Sequence, residues 1–454
     1  PLDLLGLFLT NEFWQLLVEE TNRYAEQYLQ KQTDELPKFS KFRKWSPVTH
    51  ADIKAYFAMN LLMGLCSKHS IKDYWSMYSY TNTAGISSLM PRDCFQSIRA
   101  FLHFNNNENY IPRGQPGHDR IFKIRNIVEL VTKNFSKHYT PHKELSLDEM
   151  TIAYKGGSSI KQYNPMKPKV FVLSEARTGY ALQWDLYTGK SEDVDSSVSK
   201  THAIVRKLSQ EYLHKGHDIY MNSYYTNPYL ANELQTQTGV CGTISATRKG
   251  MPESCDDPIF LRSGDLLACA WHDVRRLTML STIHNASSTE TTIRSKKVDT
   301  GTRTILKPIC VAEYNRHMGG VDRMDQRMKT YIFPHRSHKW YMRIYDGIIS
   351  IAMVNAHIIS FSCPSSSNKK PKSLKQFIEE IASELLNGYT SARKRAGKQQ
   401  SPLHFKRLIP FQHQHFLEKT TRKSCQCCNK QTMTLCKKCN VSLCALDCFE
   451  KYHS

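Results

Sequence analysis

The sequence lacks the long apolar run that a membrane-spanning helix requires. None of its apolar stretches reaches about 18–20 residues, and the best candidate, residues 56–66, is short and contains Asn60. Acidic residues are also scarce, because 41 Asp and Glu face 62 Lys and Arg and leave a formal net charge of +21. We therefore expect no membrane segment and a polyanionic partner, most often nucleic acid; the alternative is a charge that serves solubility alone.

Cysteine shows no regular pattern outside the C-terminal region. Seven of the fourteen cysteines lie between Cys425 and Cys448, and the other seven are scattered. A secreted, disulfide-stabilised protein is not usually built so, and the pattern predicts a reduced compartment with a terminal metal-binding module. The chain begins at Pro1 without an initiator Met, so the lack of a signal peptide does not assign a compartment.

The 454 residues, 40% of them hydrophobic and 11% aromatic, are enough for about two to four compact units. Apolar periodicity predicts helices at the N-terminal end of the chain, with Thr10 and Thr49 as N-caps. From Lys143 the pattern changes to strands, the first of which contains Asp148. The same patterns predict further helices over 92–104, 121–139, 198–213 and 227–236. Further strands are predicted over 170–173, 180–187 and 218–221, with a hairpin turn at 176–179.

The rest of the chain is less regular. Residues 239–306 interleave Gly, Pro, Ser and Thr, which predicts a β-containing insertion at about 245–310. A helical pattern returns over 326–361. Between Ser366 and Ser424, thirteen Lys and Arg face four Glu, as in a basic linker. The order of strands and helices predicts a mixed α/β fold.

The stretch from Tyr314 to Asp325 carries the main chemical pattern of the central region. Gly319-Gly320 predicts a turn, because glycine reaches backbone angles that other residues avoid. Asp322 follows three residues before Asp325, and this spacing places both carboxylates on one face of a helix. Such a pair could hold a divalent metal if a third carboxylate joined it; the alternative is a pair of acids that offsets the dipole at a helix N-terminus.

Residues 314–325 contain the motif Tyr-Asn-x-His-Met-Gly-Gly-Val-Asp-x-x-Asp. This motif resembles the signature that carries the last catalytic aspartates of piggyBac-type transposases. Two further segments are similar to family patterns, namely Leu145-Ser146-Leu147-Asp148-Glu149, and Met90-Pro91-Arg92-Asp93-Cys94-Phe95 with Leu102-His103-Phe104-Asn105. The resemblance implies an RNase H-like catalytic core in which Asp148, Asp322 and Asp325 hold Mg²⁺ or Mn²⁺ for phosphodiester cleavage and strand transfer. It also implies a homodimer that binds double-stranded DNA at transposon ends and targets TTAA sequences.

Two features depart from the family pattern. The second catalytic aspartate belongs to a segment like Met-Asp-Asn-Tyr-Tyr-Thr-Ser, but residues 221–227 read Met-Asn-Ser-Tyr-Tyr-Thr-Asn and place Asn222 at the aspartate position. An amide oxygen carries no negative charge with which to offset paired cations. About half a dozen residues of the family pattern are also absent before the strand that follows Lys169, which threatens the central sheet. Both departures predict weakened or lost catalysis.

Basic residues interleave with aromatics beside the acidic pair and in a later segment that resembles the family's basic, Trp-containing helix start. This composition suits contact with a DNA backbone and some stacking on bases. The residues predicted to contact DNA are Arg316, His317, Arg336, Lys339, Trp340 and Arg343. The alternatives are solvated basic side chains for the first pair and a core Trp with a solvated face for the others.

The C-terminal motif is the most specific on spacing alone. Its seven soft ligands are Cys425, Cys428, Cys436, Cys439, Cys444, Cys448 and His453. Zn²⁺ takes four Cys or His ligands in a tetrahedron, so two structural zinc sites need an eighth ligand. Cys427, His413 and His415 are the candidates. The motif is similar to the family's cross-brace domain, which binds transposon-end DNA, but other cross-braces bind proteins, so the ligands do not identify the partner.

We therefore predict four parts: helical dimerisation and DNA-binding segments at 1–143 and 332–423, an RNase H-like core at 144–331, and a zinc domain at 424–454. The leading hypothesis is a transposase-derived DNA-binding protein, domesticated or decayed, with impaired cleavage. One alternative is an active transposase that uses Asn222 as a weak ligand, and another is a protein-interaction or chromatin module. We expect nuclear localisation, since the basic runs at 369–372 and 393–395 are typical of nuclear signals, although also of solvated surfaces.

Overall fold

The computed structural model describes residues 1–32, 36–78, 80–152, 169–188, 199–251, 259–272, 275–294, 301–331, 337, 339–362, 371–389, 415, 417–445 and 447–453. The chain forms two compact units, Pro1–Arg393 and Lys394–Ser454. The first contains the large sheet and its helices, and the second contains the cysteine-rich module. The finer domain boundaries expected from the sequence stay predictions.

The strands of the first unit build one large sheet and one hairpin. Their bounds are β1 Glu144–Thr151, β2 Lys169–Glu175, β3 Ala181–Leu186, β4 Asp218–Met221, β5 Gly239–Thr243, β6 Ile259–Ser263, β7 Leu266–His272, β8 Arg276–Ser281, β9 Ser288–Arg294 and β10 Thr302–Pro308. The large sheet has the order β3-β2-β1-β4-β5-β8-β7-β6, with β1 antiparallel to β2 and parallel to β4, and β4 parallel to β5. This mixed strand order confirms the predicted α/β, RNase H-like core.

The expectation of a damaged central strand is wrong. β2 pairs with β1 over seven consecutive residues, from Leu145 opposite Glu175 to Thr151 opposite Lys169. The apolar side chains of both strands are fully buried, Val170 and Leu173 among them. The predicted hairpin turn after β2 is confirmed, because β2 and β3 pair antiparallel and Gly179 at the turn has φ +76°.

The segment 239–306, irregular in sequence, begins with a regular strand. β5 lies inside residues 239–306, yet it pairs with β4 as an inner strand of the sheet. Its glycines conceal the usual strand pattern, since a Cβ at Gly239 would overlap the Asp218 carboxylate and one at Gly242 would overlap the Thr226 hydroxyl. β6, β7 and β8 then extend the same sheet, whereas β9 and β10 form a separate two-stranded hairpin.

Helices cover both ends of the first unit. Their bounds are α1 Leu2–Gly6, α2 Asn11–Gln30, α3 His50–Leu65, α4 Ala84–Ser87, α5 Arg92–Phe101, α6 Arg125–Thr132, α7 Lys200–Ser209, α8 Pro228–Leu234, α9 Ile309–His317, α10 Gly320–Thr330, α11 Trp340–Ser362 and α12 Leu374–Leu386. Thr49 caps α3 through a reciprocal capping box with Asp52, as predicted. Thr10 occupies the N-cap position of α2, as predicted, but its side chain makes no cap hydrogen bond. α5 and α6 are shorter than the helices predicted over 92–104 and 121–139.

Helix α11 forms the centre of the helical part. It is long and apolar enough to cross a membrane by length and composition, but 78% of its most apolar window is buried inside the protein. The statement that no apolar run reaches such a length is therefore wrong, and burial explains why this helix is apolar. Asn355 ties the helix to the sheet, because its amide donates to the Ala181 carbonyl and accepts from the Ala181 N–H, both at 2.9 Å.

Candidate active site and zinc module

Helix α10 sits against the middle of the sheet through Gly320. A Cβ at this position would lie 2.7 Å from Ser174 Oγ and 3.0 Å from the Glu175 carbonyl oxygen, so only glycine fits without a shift. Ser146 Oγ donates a 2.7 Å hydrogen bond to the Met318 carbonyl and fixes the same junction. The sequence-based reason for the glycine pair was wrong, because neither Gly319 nor Gly320 has a positive φ. Close approach to the sheet is the requirement.

This packing brings the acids of α10 towards the middle of β1. Burial raises the pKa of Asp148 to about 6; a backbone hydrogen bond from Glu149 opposes this, while the Glu149 and Asp322 charges add to it. Asp322, exposed on the first turn of α10, is thus close enough to Asp148 for their charges to interact. Asp325 forms an ion pair with Lys329 one turn along the helix.

Asn222 turns its nitrogen, not its oxygen, towards Asp148. Its Nδ2 donates a 2.6 Å hydrogen bond to Asp148 Oδ1. Its Oδ1 accepts a 2.8 Å hydrogen bond from the Tyr224 backbone N–H. The two bonds specify the orientation of the amide, since exchanging nitrogen and oxygen would break both. The position that the family resemblance assigns to a metal-binding carboxylate thus presents a hydrogen-bond donor to its neighbour.

Two further groups complete the site and were not predicted from the sequence. Lys169 Nζ forms a 2.8 Å ion pair with Glu149 and lies 4.2 Å above the Tyr224 ring. Tyr225 donates a 2.9 Å hydrogen bond to the other oxygen of Glu149. Burial would raise the pKa of Glu149, but the bonds from Lys169 and Tyr225 outweigh it and lower that pKa. No sequence pattern singles out Lys169, because its contact depends on the β1–β2 register, which places it diagonally to Glu149, two residues from Phe171.

The donors around Asp148 do not match a site for paired divalent cations. Such a site needs several carboxylate or phosphate oxygens that offset the repulsion between two metal ions. Among the described residues, no three carboxylates bring oxygen atoms within 4.8 Å of one another. Asn222 offers Asp148 an N–H instead of a negative charge, and the Lys169 ammonium is bound to Glu149.

The residues predicted to contact DNA differ in their exposure. Arg316 is exposed and pairs with Glu313 at 2.9 Å. His317 is 8% exposed, bonds to the same carboxylate at 3.1 Å and packs on the Tyr220 ring. These contacts favour a packing role for His317 and leave Arg316 available at the surface.

The later group of predicted DNA contacts lies at the start of α11. Arg343 is mostly buried and pairs with Asp346 at 3.4 Å. Lys339 donates a 2.6 Å bond to the Ala100 carbonyl, and half-buried Trp340 packs edge-on against Tyr341. For Arg343 and Trp340 the contacts favour the alternative of packing. Arg336 lies outside the described residues.

The second unit gathers its cysteines and histidines into two separate groups. Its elements are β11 Leu417–Ser424, β12 Gln431–Cys436, β13 Val441–Ser442 and α13 Asp447–His453. One group is Cys425, Cys428, Cys444 and Cys448, and the other is His415, Cys436, Cys439 and His453, with the ligand atoms of each group within 4.8 Å of one another. The groups interleave along the chain, as in a cross-brace.

The donor sets fit zinc. Each group offers four soft ligands, the number that a structural tetrahedral Zn²⁺ site requires. His415 is the candidate for the eighth ligand that the structure brings into a group, since its Nδ1 lies 3.4 Å from Cys436 Sγ and 3.3 Å from Cys439 Sγ. Of the other two candidates, Cys427 lies outside both groups and His413 lies outside the described residues. The two groups could therefore hold one zinc ion each.

Comparisons with known proteins match this chain to a transposase family model and to transposable element-derived proteins. A family model described as Transposase IS4 matches residues 1–357. The human PiggyBac transposable element-derived protein 2 is 24% identical over 478 residues, which cover 100% of this chain and 76% of that protein. The human PiggyBac transposable element-derived protein 5 is 21% identical over 411 residues, which cover 85% of this chain and 75% of that protein.

The fold is shared with a solved structure of the same kind. A chain in the cryo-EM structure of a piggyBac transposase synaptic complex with hairpin DNA has a TM-score of 0.75 and 22% identity, with 98% of this chain and 96% of that chain covered. The family model spans 357 of the 454 residues and includes the whole β1–α10 region described above. The chain therefore belongs to the piggyBac-type transposase family.

Proposed function

We propose that this protein is a transposase-derived, double-stranded-DNA-binding protein, domesticated or decayed, in which DNA cleavage and strand transfer are impaired. The observation that carries the proposal is the orientation of Asn222. Its N–H bonds Asp148 at 2.6 Å, and its oxygen is held by the Tyr224 N–H. Asn222 therefore offers a cation beside Asp148 no negative charge, and its side-chain oxygen points to the Tyr224 N–H and not towards Asp148.

The physical consequence concerns metal affinity. A divalent metal, when bound by Asp148, Asp322 and Asp325, would polarise a phosphodiester and activate the attacking oxygen. Two such ions about 4 Å apart repel each other, and carboxylates offset that repulsion. Here one carboxylate of the set is replaced by a neutral donor, and its hydrogen bond already occupies an Asp148 oxygen. The site should hold Mg²⁺ or Mn²⁺ weakly, so no catalytic step through paired metals is assigned to it.

DNA binding does not depend on that site. The net charge of +21 favours a polyanion, and the structurally similar piggyBac transposase was solved with hairpin DNA. We propose binding of transposon-end-like and TTAA-containing duplexes by a homodimer, localisation in the nucleus, and two structural zinc ions in the second unit. Binding should weaken steeply with salt, because Lys and Arg release counterions when they neutralise phosphates. A response that is flat in salt would exclude nucleic acid as the main partner.

The decisive experiment is a nicking assay on duplex DNA that contains transposon-end and TTAA sequences. Wild-type protein and Asn222→Asp are compared in Mg²⁺ and in Mn²⁺, with binding measured on the same samples. We expect binding by both proteins and cleavage by the variant alone. Cleavage by the wild type would instead support an active transposase that uses Asn222 as a ligand. An inactive variant that binds DNA would place the cause of the impairment elsewhere.

A second candidate function concerns the zinc module. β11 pairs only with β12 among the described strands, and seven of its eight residues are exposed. An open strand edge can add a peptide as a further strand, as in β-augmentation. If the module serves a protein partner, a chain that lacks residues 424–454 should bind DNA as tightly as the full chain. Loss of DNA affinity in the shortened chain would assign the module to DNA.

A further inference from the structure

Two lysines in the helical part of the first unit, Lys123 and Lys339, form a cluster around Tyr341. Lys123 precedes α6, and Lys339 precedes α11, yet both ammonium groups lie over the ring of Tyr341, at 5.8 and 5.9 Å from its centroid. Neither lysine forms an ion pair among the described residues. Burial lowers the pKa of Lys339 to about 8, and repulsion from Lys123 and Arg99 adds to the effect. Packing therefore keeps these positive charges close together in spite of their mutual repulsion.

The hydrogen bonds in the cluster leave donors unassigned. Lys339 gives one N–H to the Ala100 carbonyl at 2.6 Å, and Lys123 gives one to Asn107 Oδ1 at 3.4 Å. Each ammonium has three donors, so within the described part of the chain two donors on each lysine have no hydrogen-bond partner. The aromatic rings compensate only in part, because Tyr24 and Tyr341 lie at 5.4 to 5.9 Å, near the limit of about 6 Å for a cation–π contact.

His103 lies beside the two lysines, because its Nε2 and the Lys123 ammonium share the Asn107 Oδ1 acceptor. This residue is 1% exposed and stacks on Tyr24 with ring centroids 4.2 Å apart. Its Nε2 bonds Asn107 at 2.9 Å, but its Nδ1 is buried with no hydrogen-bond partner among the described residues. Because Nε2 donates to an amide oxygen and burial lowers the pKa of His103 to about 4, the ring is neutral and Nδ1 is an acceptor. His103 therefore packs beside the lysines without adding charge or a further donor.

We infer that Lys123 and Lys339, with His103 beside them, form a binding site for a phosphate group of a nucleic-acid backbone. The inference rests on the proposed DNA-binding function and gives it a location. A phosphate supplies the acceptors and the negative charge that the two lysines lack, and lysine ammonium groups bind phosphate as point charges. The Tyr341 ring is buried, and the half-buried Tyr24 ring is stacked on His103, so we assign both rings to support of the lysines and not to base stacking.

The test measures DNA affinity of the full chain as a function of salt. Lys123→Met and Lys339→Met remove the charge and keep an apolar side chain of similar length. Each substitution should make the negative slope of log K against log salt shallower by about 0.9, the value for one lost phosphate contact. Lys133→Met is the matched control, because Lys133 is 57% exposed, pairs with Glu12 at 3.6 Å, and loses the same charge. Its slope should stay at the wild-type value, as should those of Lys123→Arg and Lys339→Arg.

A second arm separates this site from the proposed function. Pyrophosphate is added to wild-type protein and to the double Lys→Met variant, and the shift in melting temperature is recorded. If wild-type protein binds no DNA but pyrophosphate stabilises it and not the double variant, the phosphate site stands and the nucleic-acid function fails. If DNA binds with an unchanged slope in Lys123→Met, the site is overturned while the function stands. Should Lys339→Met fail to fold, Lys123→Met alone decides, since Lys123 makes only one 3.4 Å bond.

Discussion

Gly320 lies so close to Ser174 that a Cβ on the glycine would be 2.7 Å from the serine Oγ. The contact joins α10 to β2 and so sets the distance between Asp322 and the strand that bears Asp148. Gly320→Ala should therefore lower the free energy of unfolding by about 1–3 kcal/mol, the usual cost of overpacking. Urea unfolding of the first unit, followed by tryptophan fluorescence, measures the effect.

Gly319→Ala is the matched control for this change. A Cβ there would meet only the end of the Arg323 side chain, at 2.9 Å from Nη1, and that side chain can move. The control should cost clearly less than Gly320→Ala. Equal losses for the two variants would mean that contact with the sheet does not explain the glycine at position 320, since helix propensity favours alanine over glycine.

Asn222→Asp should make the stability of the protein depend on divalent metal. The aspartate can still accept from the Tyr224 N–H but loses the donor that reaches Asp148, so two carboxylates would face each other without a cation. The melting temperature of the variant should fall in EDTA at neutral pH and recover in Mg²⁺ or Mn²⁺. Metal at about 100 times its Kd would add about 2.7 kcal/mol by mass action. Thermal unfolding across a metal titration measures the response.

The chain contains a control with the same local geometry. Asn227 Oδ1 accepts a 2.8 Å hydrogen bond from the Tyr229 N–H, two residues on, as Asn222 does from Tyr224. Asn227→Asp should show no recovery with metal, because its donor does not face Asp148. A wild-type protein that gains as much stability from Mg²⁺ as Asn222→Asp does would contradict the proposed loss of metal affinity.

The pH dependence of stability should report on Asp148. Its folded-state pKa of about 6 lies above its ordinary value of 3.8, so the folded state holds the proton more tightly than the unfolded state. The stability that this group contributes is fully present below about pH 4 and is lost as the pH rises through about 6. Asp148→Asn removes the ionisation and can still accept from Asn222. The variant should gain stability relative to wild type from pH 4 to pH 7, measured by urea unfolding; a difference that is constant with pH would sink the assignment.

Strand positions could be predicted where burial leaves a clear apolar pattern, as in β1 with Leu145, Leu147 and Met150. The pattern fails in β5, because Gly239 and Gly242 make room for Asp218 and Thr226, and those contacts exist only after folding. The same reason applies to Gly320, whose role was attributed to backbone angles before its neighbours in the sheet were known. Close approach between distant segments leaves a glycine in the sequence but not its cause.

The sequence identifies several residues of the site but not the orientation of their side chains. Asp148, Asn222 and Asp322 can be identified from sequence motifs. The sequence does not show that the Asn222 nitrogen faces Asp148, because the hydrogen bond from the Tyr224 N–H determines the amide orientation. Lys169 was seen only as the start of a strand, since its bond to Glu149 depends on the register between β1 and β2. In the second unit, three candidates for the last ligand could be named, and only the folded chain selects His415.

Removal of zinc should unfold the second unit and leave the first intact. The fully buried hydrophobic residues described in this unit are Cys425, Cys436 and Leu443, and the two cysteines belong to the candidate metal-binding groups. Without metal the unit has almost no core, so folding and metal binding should be a single process. Heteronuclear NMR during chelation should show collapse of the signals of residues 415–453 while those of the sheet persist.

The ligand assignment can be tested by metal content. His415→Ala should reduce bound zinc from two ions per chain towards one, because it opens the group with Cys436, Cys439 and His453. Cys427→Ala removes a cysteine from the same segment but outside both groups, and should keep two. Mass spectrometry under native conditions counts the ions directly. Loss of zinc in Cys427→Ala with retention in His415→Ala would reverse the assignment, and the interleaved pairing of the two groups would then have to be redrawn around Cys427.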